Sequence, residues 1–168
     1  MVALQGVTLL YPGGGTVRIE HHPNAHTDGD LVLWFESANV VHAGDIFFNG
    51  GTFPFIDRES GGSARGMLAA VEAILARTND ATQIIPGHGP LARRADLVAY
   101  RDMLRDTIAR VRAERSRGRT LAQIIAMRPV ARWDRFELPF ISADAFVTAV
   151  YEGETAVAPR PIGRPTRN

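Results

Sequence analysis

The sequence predicts an α/β fold in which a mixed sheet is covered by helices. Three observations predict it: short apolar segments with strand periodicity fill much of the first half, amphipathic helical patterns alternate with and then follow them, and glycine-bearing turns separate the two kinds of segment. The 168 residues suffice for one domain with a real core, and a hydrophobic fraction of 45% is ordinary for a globular protein.

Four segments in the first half have the pattern of β-strands. Residues 9–11 and 16–21 flank the glycine-rich stretch 12–15, which is typical of a hairpin. Apolar and polar side chains alternate strictly along residues 16–21, as in a half-buried strand. Residues 31–35 and 39–43 are rich in Leu, Val and aromatic side chains and predict two more strands.

The remaining pattern is mostly helical. Ser63 is placed to cap a helix that runs to Arg77, and residues 83–85 then predict one further buried strand. The second half predicts three helices: a long amphipathic one over 96–117, a short one over 120–127 opened by the capping box of Thr120 and Gln123, and one capped by Ser142. From residue 153 the chain is rich in Pro, Gly and Arg, so we expect one domain over 1–152 and a disordered tail over 153–168.

Composition excludes several classes of chemistry. The chain contains no cysteine, and all 19 basic residues are arginine, so thiol nucleophiles, thiolate metal sites and lysine Schiff bases are absent. A net charge of +1 favours neither nucleic acid nor a membrane surface as a partner, and acidic residues interleave with the arginines of residues 101–119. With no apolar run of about 20 residues and no signal-peptide pattern, we expect a soluble chain, cytoplasmic as written, although a longer parent protein could be periplasmic.

Three segments share one design, in which an apolar strand leads into a glycine-bearing turn with a metal-competent side chain. Those side chains are His26, Asp45 and His88. If the three strands run in the same direction within one sheet, their ends meet at one edge, where α/β proteins place their sites. Two imidazoles and a carboxylate suit a hydrolytic Zn²⁺, whereas Ca²⁺ or Mg²⁺ would favour more carboxylates.

Each of these residues also has a structural interpretation, and only the three together favour a site. Asp45 could bond the amides of its own turn, and His26 could be an ordinary surface histidine. Asn49 could face the site or shape a turn. Structural roles are assigned to the other polar residues nearby: turn formation for Asp28 and Asp30, a hydrogen-bonded core position for His42, and strand ends for His21 and His22.

Three motifs carry a resemblance to a known family: HTDGD at residues 26–30, VHAGDIF at 41–47 and IPGHG at 85–89. On these motifs the chain resembles the metallo-β-lactamase-fold hydrolase superfamily, above all its cyclase- or glyoxalase-like zinc hydrolases. The resemblance implies two Zn²⁺ ions, with His26 on the first, His88 on the second and Asp45 bridging both. It also implies hydrolysis of an ester, thioester, lactone or β-lactam by zinc-activated water, with a small molecule as the substrate.

One motif of that family, H-x-H-x-D-H, does not occur in the sequence. The resemblance therefore implies only the C-terminal half of the αβ/βα sandwich, and leaves each zinc with two protein ligands. Catalytic zinc prefers at least three, so we expect weak zinc binding and weak or no hydrolysis by this chain alone.

A half-sandwich predicts an uncovered sheet face, and hence a homodimer or a partner that supplies an N-terminal half-domain. The expected residues of that face are Val17, Ile19, Leu31, Leu33, Val40 and Ile84. The alternative to a hydrolase is a non-catalytic remnant that serves as an association module. The retention of all three candidate ligands favours the hydrolase, and the missing motif favours the remnant.

Overall fold

The computed structural model describes residues 7–10, 15–136 and 140–153. Within them lie six strands and four α-helices: β1 (Val7–Leu10), β2 (Val17–His22), β3 (Asp30–Phe35), β4 (Val40–Phe48), α1 (Ala64–Arg77), β5 (Gln83–His88), β6 (Ala92–Arg93), α2 (Arg94–Ser116), α3 (Leu121–Ala126) and α4 (Ala143–Gly153). Short 3₁₀ helices occur at Glu36–Ala38 and Ala131–Phe136, and neither is predicted from the sequence. The predicted α/β class is confirmed.

The strands form one mixed sheet in the order β1-β2-β3-β4-β5-β6. Neighbours are antiparallel except β4 and β5, which are parallel. Two successive antiparallel pairings separate β2 from β4, so β2, β4 and β5 all run in the same direction. This is the condition under which the ends of the three motif-bearing strands meet at one edge.

Two strands are longer than predicted, because each continues through its glycine. β4 extends to Phe48 and not to residue 43, and its pairing with β5 shifts register around Gly44. Gly44 has a φ of +53°, and its N–H donates to His42 Nδ1 at 3.1 Å. These features form a bulge inside β4, so Asp45 follows a kink within the strand and not a turn after it.

The helix caps are confirmed. Ser63 Oγ accepts from the Gly66 N–H at 3.0 Å, and Ser142 Oγ accepts from the Ala145 N–H at 3.1 Å. The reciprocal capping box of Thr120 and Gln123 is present. The long helix α2 begins two residues earlier and ends one residue earlier than predicted. The predicted tail over 153–168 is wrong at its first residue, because Gly153 is the last residue of α4. The remainder of that tail and residues 11–14 lie outside the described residues.

The core lies on one face of the sheet, between the strands and the helices. Its sheet side includes Val32, Trp34, Val41 and Ile84, which are between 0% and 6% exposed. The helices contribute the fully buried side chains that complete it: Met67, Ile74, Leu97, Tyr100, Leu104 and Phe146. No helix in the described ranges is both long and apolar enough to cross a membrane.

The opposite sheet face is partly open. The register places Leu31, Leu33 and Phe35 on the same face as Ile19, because cross-strand partners project to one side. Leu31 and Leu33 are half-buried and Phe35 is 36% exposed, while Ile19 is 9% exposed. The prediction that Ile84 lies on this face is wrong. Ile84 is fully buried under the helices, because β5 pairs it with Val41.

Candidate metal centre

The three candidate side chains come from three different elements at one edge of the sheet. His26 lies in the loop between β2 and β3, Asp45 follows the bulge of β4, and His88 is the last residue of β5. Each of these strands runs toward that edge. The sheet topology therefore brings together positions that are 19 and 43 residues apart in sequence.

The carboxylate of Asp45 lies between the two imidazoles. Its Oδ2 is 3.5 Å from His26 Nε2, and its Oδ1 is 3.5 Å from His88 Nε2. The His26 side chain is 12% exposed, that of Asp45 37% and that of His88 53%, so the group is open to solvent on one side. The expected convergence of the three side chains is thus observed, while their role as zinc ligands stays a prediction.

The hydrogen bond of His26 decides which ring nitrogen can bind a cation. Its Nδ1 lies 2.9 Å from the carbonyl oxygen of Phe55, and because a carbonyl only accepts, Nδ1 must donate. In the neutral ring Nε2 then carries a lone pair that faces an acceptor oxygen of Asp45 at 3.5 Å, beyond ordinary hydrogen-bond distance. A cation bound between the two acceptors would be shared by both of them. A backbone carbonyl on the far nitrogen is also the usual support of a zinc-bound histidine.

The glycines around His88 are required by close backbone approaches. A Cβ on Gly87 would lie 2.0 Å from Asp45 Oδ1, so the bare backbone of β5 leaves room for the carboxylate. Gly89 has a φ of +99°, and a Cβ there would lie 1.5 Å from the carbonyl oxygen of Asn49. The Gly-His-Gly sequence therefore lets β4 and β5 approach each other closely enough for Asp45 to reach His88.

The nearby acidic residues serve the loop geometry. Asp30 Oδ2 accepts from the Thr27 N–H at 2.7 Å, and Asp28 Oδ1 accepts from Asn24 Nδ2 at 3.2 Å. Burial raises the pKa of Asp30 above its usual value, although its hydrogen bond from Thr27 opposes the shift. Asp57, also near His26, has its pKa lowered by hydrogen bonds from Ser60. These contacts match the turn-forming roles expected for Asp28 and Asp30.

The other histidines and Asn49 also occupy structural positions. His42 shapes the bulge, and His21 Nε2 lies 2.6 Å from the Asp28 carbonyl oxygen. Burial lowers the pKa of His22, although the adjacent Glu20 opposes the shift. The Asn49 amide donates to the Pro90 carbonyl at 2.9 Å and accepts from the Gly50 N–H at 3.0 Å, so Asn49 shapes its turn.

Sequence reasoning missed the aromatic surroundings of the site. The Phe48 ring stacks on His88 at 5.0 Å between centroids and 10° between planes, and it lies 6.1 Å from His26. Phe55 lies 5.5 Å from His26, and Phe140 lies 5.7 Å from His88. Phe48 and Phe55 lie after the VHAGDIF motif in the sequence, which is a weak signal that they contact the site. Nothing in the sequence links Phe140 to His88.

The donor set is chemically suited to zinc but incomplete. Within residues 7–10, 15–136 and 140–153, no three His, Asp or Glu side chains converge closely enough to hold one metal ion by themselves. The reason is that the two oxygens of Asp45 face different histidines. The arrangement provides two separate pairs of donors that share a carboxylate, and each pair would need further ligands.

Comparison with known families identifies the fold. The sequence profile of the metallo-beta-lactamase superfamily matches residues 2–88, more than half of the chain, a span that includes His26, Asp45 and His88. The chain belongs to the metallo-β-lactamase superfamily. No curated protein gave a match to the sequence.

Solved structures support the same fold. The chain is similar to the stereoselective inverting sec-alkylsulfatase Pisa1 from Pseudomonas sp., with a TM-score of 0.72 and 18% identity over 90% of this chain. It is also similar to a metallo-β-lactamase from Pontibacter korlensis, with a TM-score of 0.51 and 15% identity over 61% of this chain. This chain spans 26% of the sulfatase and 47% of the lactamase. The comparisons establish a hydrolase-type fold from a superfamily that typically binds metal ions.

Proposed function

We propose that this chain supplies part of the active site of a zinc-dependent hydrolase, with His26, Asp45 and His88 as zinc ligands. His26 would bind one ion, His88 the other, and the two oxygens of Asp45 would bridge them. The reaction would be hydrolysis of an ester, thioester, lactone or β-lactam. Because a sulfatase shares the fold, a sulfate ester belongs in the same set of test substrates.

The placement of Asp45 is the observation that carries this proposal. Each of its oxygens faces a different imidazole nitrogen at 3.5 Å, as expected of a carboxylate shared by two cations. The Phe55 carbonyl holds His26 with Nε2 toward Asp45, and the stacked ring of Phe48 fixes the plane of His88. The Phe55 carbonyl and the Phe48 ring therefore orient the two imidazoles that flank Asp45.

When bound, zinc supplies a Lewis acid that polarises the substrate carbonyl and lowers the pKa of a water molecule to about 7. For an ester, thioester, lactone or β-lactam, hydrolysis forms a bond from the water oxygen to the carbonyl carbon, breaks the bond to the leaving group, and passes a proton from the water to that group. Asp45 and the two histidines would hold the reacting centre at the open edge of the sheet. With two donors for each ion, the chain would do so weakly without further ligands.

Calorimetric titration with Zn²⁺ tests the proposal. We expect the full chain to bind zinc with a Kd weaker than roughly 1 μM, about −8 kcal/mol, and to lose binding in Asp45→Asn, because that change weakens the shared ligand. The matched control is Asp80→Asn, an exposed aspartate in the turn before β5. Equal zinc affinity of Asp45→Asn and the unchanged chain would contradict the site, and tight binding of two zinc ions would contradict its incompleteness.

The open sheet face favours a second candidate, an association module. Leu31, Leu33 and Phe35 are apolar side chains on a face that the described helices do not bury. Such a face suits either a second copy of this chain or a partner that supplies an N-terminal half-domain. The two candidates are compatible, because a partner could supply the missing ligands.

A further inference from the structure

We infer that Phe55 and Phe140 form an apolar substrate subsite beside the candidate metal centre, which would select substrates with an alkyl or aryl group next to the scissile bond. The substrate class rests on the proposed function, whereas the subsite itself rests on the packing of these two rings. No charged group is needed to recognise such a substrate. The inference names residues that determine specificity and not residues that react.

Both rings are exposed where a substrate would bind. Phe55 is 43% exposed and Phe140 is 60% exposed, the largest value among the exposed large apolar side chains of the described residues. Phe55 lies 5.5 Å from His26, and Phe140 lies 5.7 Å from His88. Single exposed apolar residues are common on proteins, but here one flanks each candidate ligand. Exposed aromatic rings beside convergent polar groups are typical of ligand sites.

The buried ring of Phe48 joins the two sides. It is 1% exposed and lies within 6.1 Å of His26, 5.0 Å of His88 and 6.3 Å of Phe140, measured between ring centroids. Phe48 therefore supports both imidazoles and Phe140 from the protein interior, while the solvent-facing apolar surface is that of Phe55 and Phe140. An apolar group bound to that surface would displace water from both the surface and itself, which is the main source of apolar affinity.

Phe140 also contacts the core side of the centre directly. Its ring lies 6.3 Å from that of the buried Phe48, with 25° between the planes, and 5.7 Å from the His88 ring. Two residues later, Ser142 caps α4 through the Ala145 N–H. Contacts that hold the ring in place preorganise the subsite, and a preorganised subsite costs less conformational entropy on binding.

Phe55 is held through its own backbone. Its carbonyl oxygen accepts the His26 Nδ1 proton at 2.9 Å, so one residue both orients a candidate ligand and presents an apolar ring beside it. A side-chain substitution at Phe55 keeps that hydrogen bond. The apolar subsite can therefore be altered without removing the support of His26.

Two measurements on the full chain separate this inference from the proposed function. The first titrates the metal-free chain with 1-hexanol, with methanol as the reference, and follows the ring protons of Phe55 and Phe140 by NMR. We expect hexanol, and not methanol, to shift these resonances. In Phe55→Ser and in Phe140→Ser, the resonances of the remaining ring should shift less. Phe140→Leu should restore most of the hexanol response, and Met127→Ser, which alters a 52% exposed side chain on another element, should leave it unchanged.

The second measurement compares hydrolysis of 4-nitrophenyl hexanoate and acetate by the zinc-loaded chain. We expect kcat/KM to favour hexanoate by about tenfold, and the Phe55→Ser/Phe140→Ser double variant to reduce this preference to about threefold or less with unchanged zinc affinity. No hexanol response would overturn the inference whatever the activity. Hydrolysis without a chain-length preference would overturn the substrate class. A hexanol response in a chain that binds no zinc would count against the proposed function alone and support the subsite.

Discussion

At the scale of single residues, the candidate centre depends on Gly87 having no side chain. Gly87 leaves the space that Asp45 Oδ1 occupies, since a Cβ at that position would lie 2.0 Å from the oxygen. The sequence indicates that glycine flanks His88 for a backbone reason, but it does not say that the neighbour is a carboxylate. That neighbour comes from another strand, 42 residues earlier in the chain.

Gly87→Ala is therefore expected to damage both the centre and the pairing of β4 with β5. The new methyl group would lie 2.0 Å from Asp45 Oδ1 and 2.7 Å from the backbone carbon of Gly44, so the carboxylate and the strand must both shift. Zinc affinity should fall by about tenfold or more, as when the support of a metal ligand is lost. Calorimetric zinc titration and thermal unfolding measure the two effects separately. Gly29→Ala is the matched control, because its Cβ would meet nothing nearer than Thr27 Oγ1 at 3.8 Å. Equal losses of zinc affinity in the two variants would contradict this role of Gly87.

At the scale of elements, the helix caps connect secondary structure to the site. Ser63 Oγ caps α1 and also donates to the carbonyl oxygen of Asn24 at 2.9 Å, in the loop that carries His26. Caps are readable from sequence because their bonds span only three residues. The bond to Asn24 spans 39 residues, so nothing local predicts it.

Ser63→Ala should lower the free energy of unfolding by about 1–2 kcal/mol, because it removes a cap and one of the two hydrogen bonds that the Asn24 carbonyl accepts from Ser63. Thr120→Ala removes a cap whose two side-chain bonds are both local, so it should cost about 1 kcal/mol. Urea unfolding of the two variants gives the comparison. A smaller loss in Ser63→Ala than in Thr120→Ala would argue that the Asn24 bond contributes nothing.

The link between α2 and the 3₁₀ helix at Ala131–Phe136 predicts a pH dependence. Burial raises the pKa of Asp106, but hydrogen bonds from Trp133 and Arg110 and the positive charges of Arg110 and Arg132 outweigh it, so the pKa lies below its ordinary value. A lowered folded-state pKa stabilises the protein above the unfolded pKa of about 3.9, and this stabilisation is lost as the pH falls further.

Asp106→Asn should accordingly have a lower Tm than the unchanged chain at pH 7, and the difference should shrink below about pH 4. Thermal unfolding followed by circular dichroism from pH 7 to pH 3 measures it. Asp102→Asn on the same helix serves as the control, since the Asp102 carboxylate accepts its hydrogen bonds from the adjacent Arg101 and not from another element. A constant Tm difference across that range would show that the Asp106 charge does not stabilise the fold.

At the scale of the whole molecule, the helices of the described residues cover one face of the sheet. The register places Leu33 opposite Ile19 on β2 and His42 on β4, so the other face extends across three strands, although Ile19 is only 9% exposed. The half-buried Leu31 and Leu33 and the exposed Phe35 on that face favour association. A partner bound to this face could also complete the donor set, because further zinc ligands would have to come from outside the described residues.

We expect the chain to form a dimer in sedimentation velocity, and Leu33→Arg to shift it toward the monomer by placing a charge on the open face. Ala73→Arg, on the exposed side of α1, should leave the dimer intact. If the unchanged chain is a monodisperse monomer and does not aggregate, self-association is contradicted. A companion half-domain would then be the remaining partner for this face.

The family and the fold class could be predicted from the sequence, while parts of the site could not. The motifs around His26, Asp45 and His88 are local, and the family profile that matches them supports the same assignment. The bulge of β4 and the continuation of β5 through Pro86 could not be predicted, because both depend on pairing between strands that are distant in the chain. Ile84 was assigned to the wrong face for the same reason: alternation in a short apolar strand does not say which side the helices cover.

The sequence by itself determined the types of element, the helix caps and the three side chains that could bind zinc, because each depends on residues a few positions apart. Only the tertiary structure decided that β2, β4 and β5 run to one edge, that each oxygen of Asp45 faces a different imidazole, and that Phe55 and Phe140 flank them. These are contacts between distant segments. They are fixed by strand pairing and core packing, which no local pattern encodes.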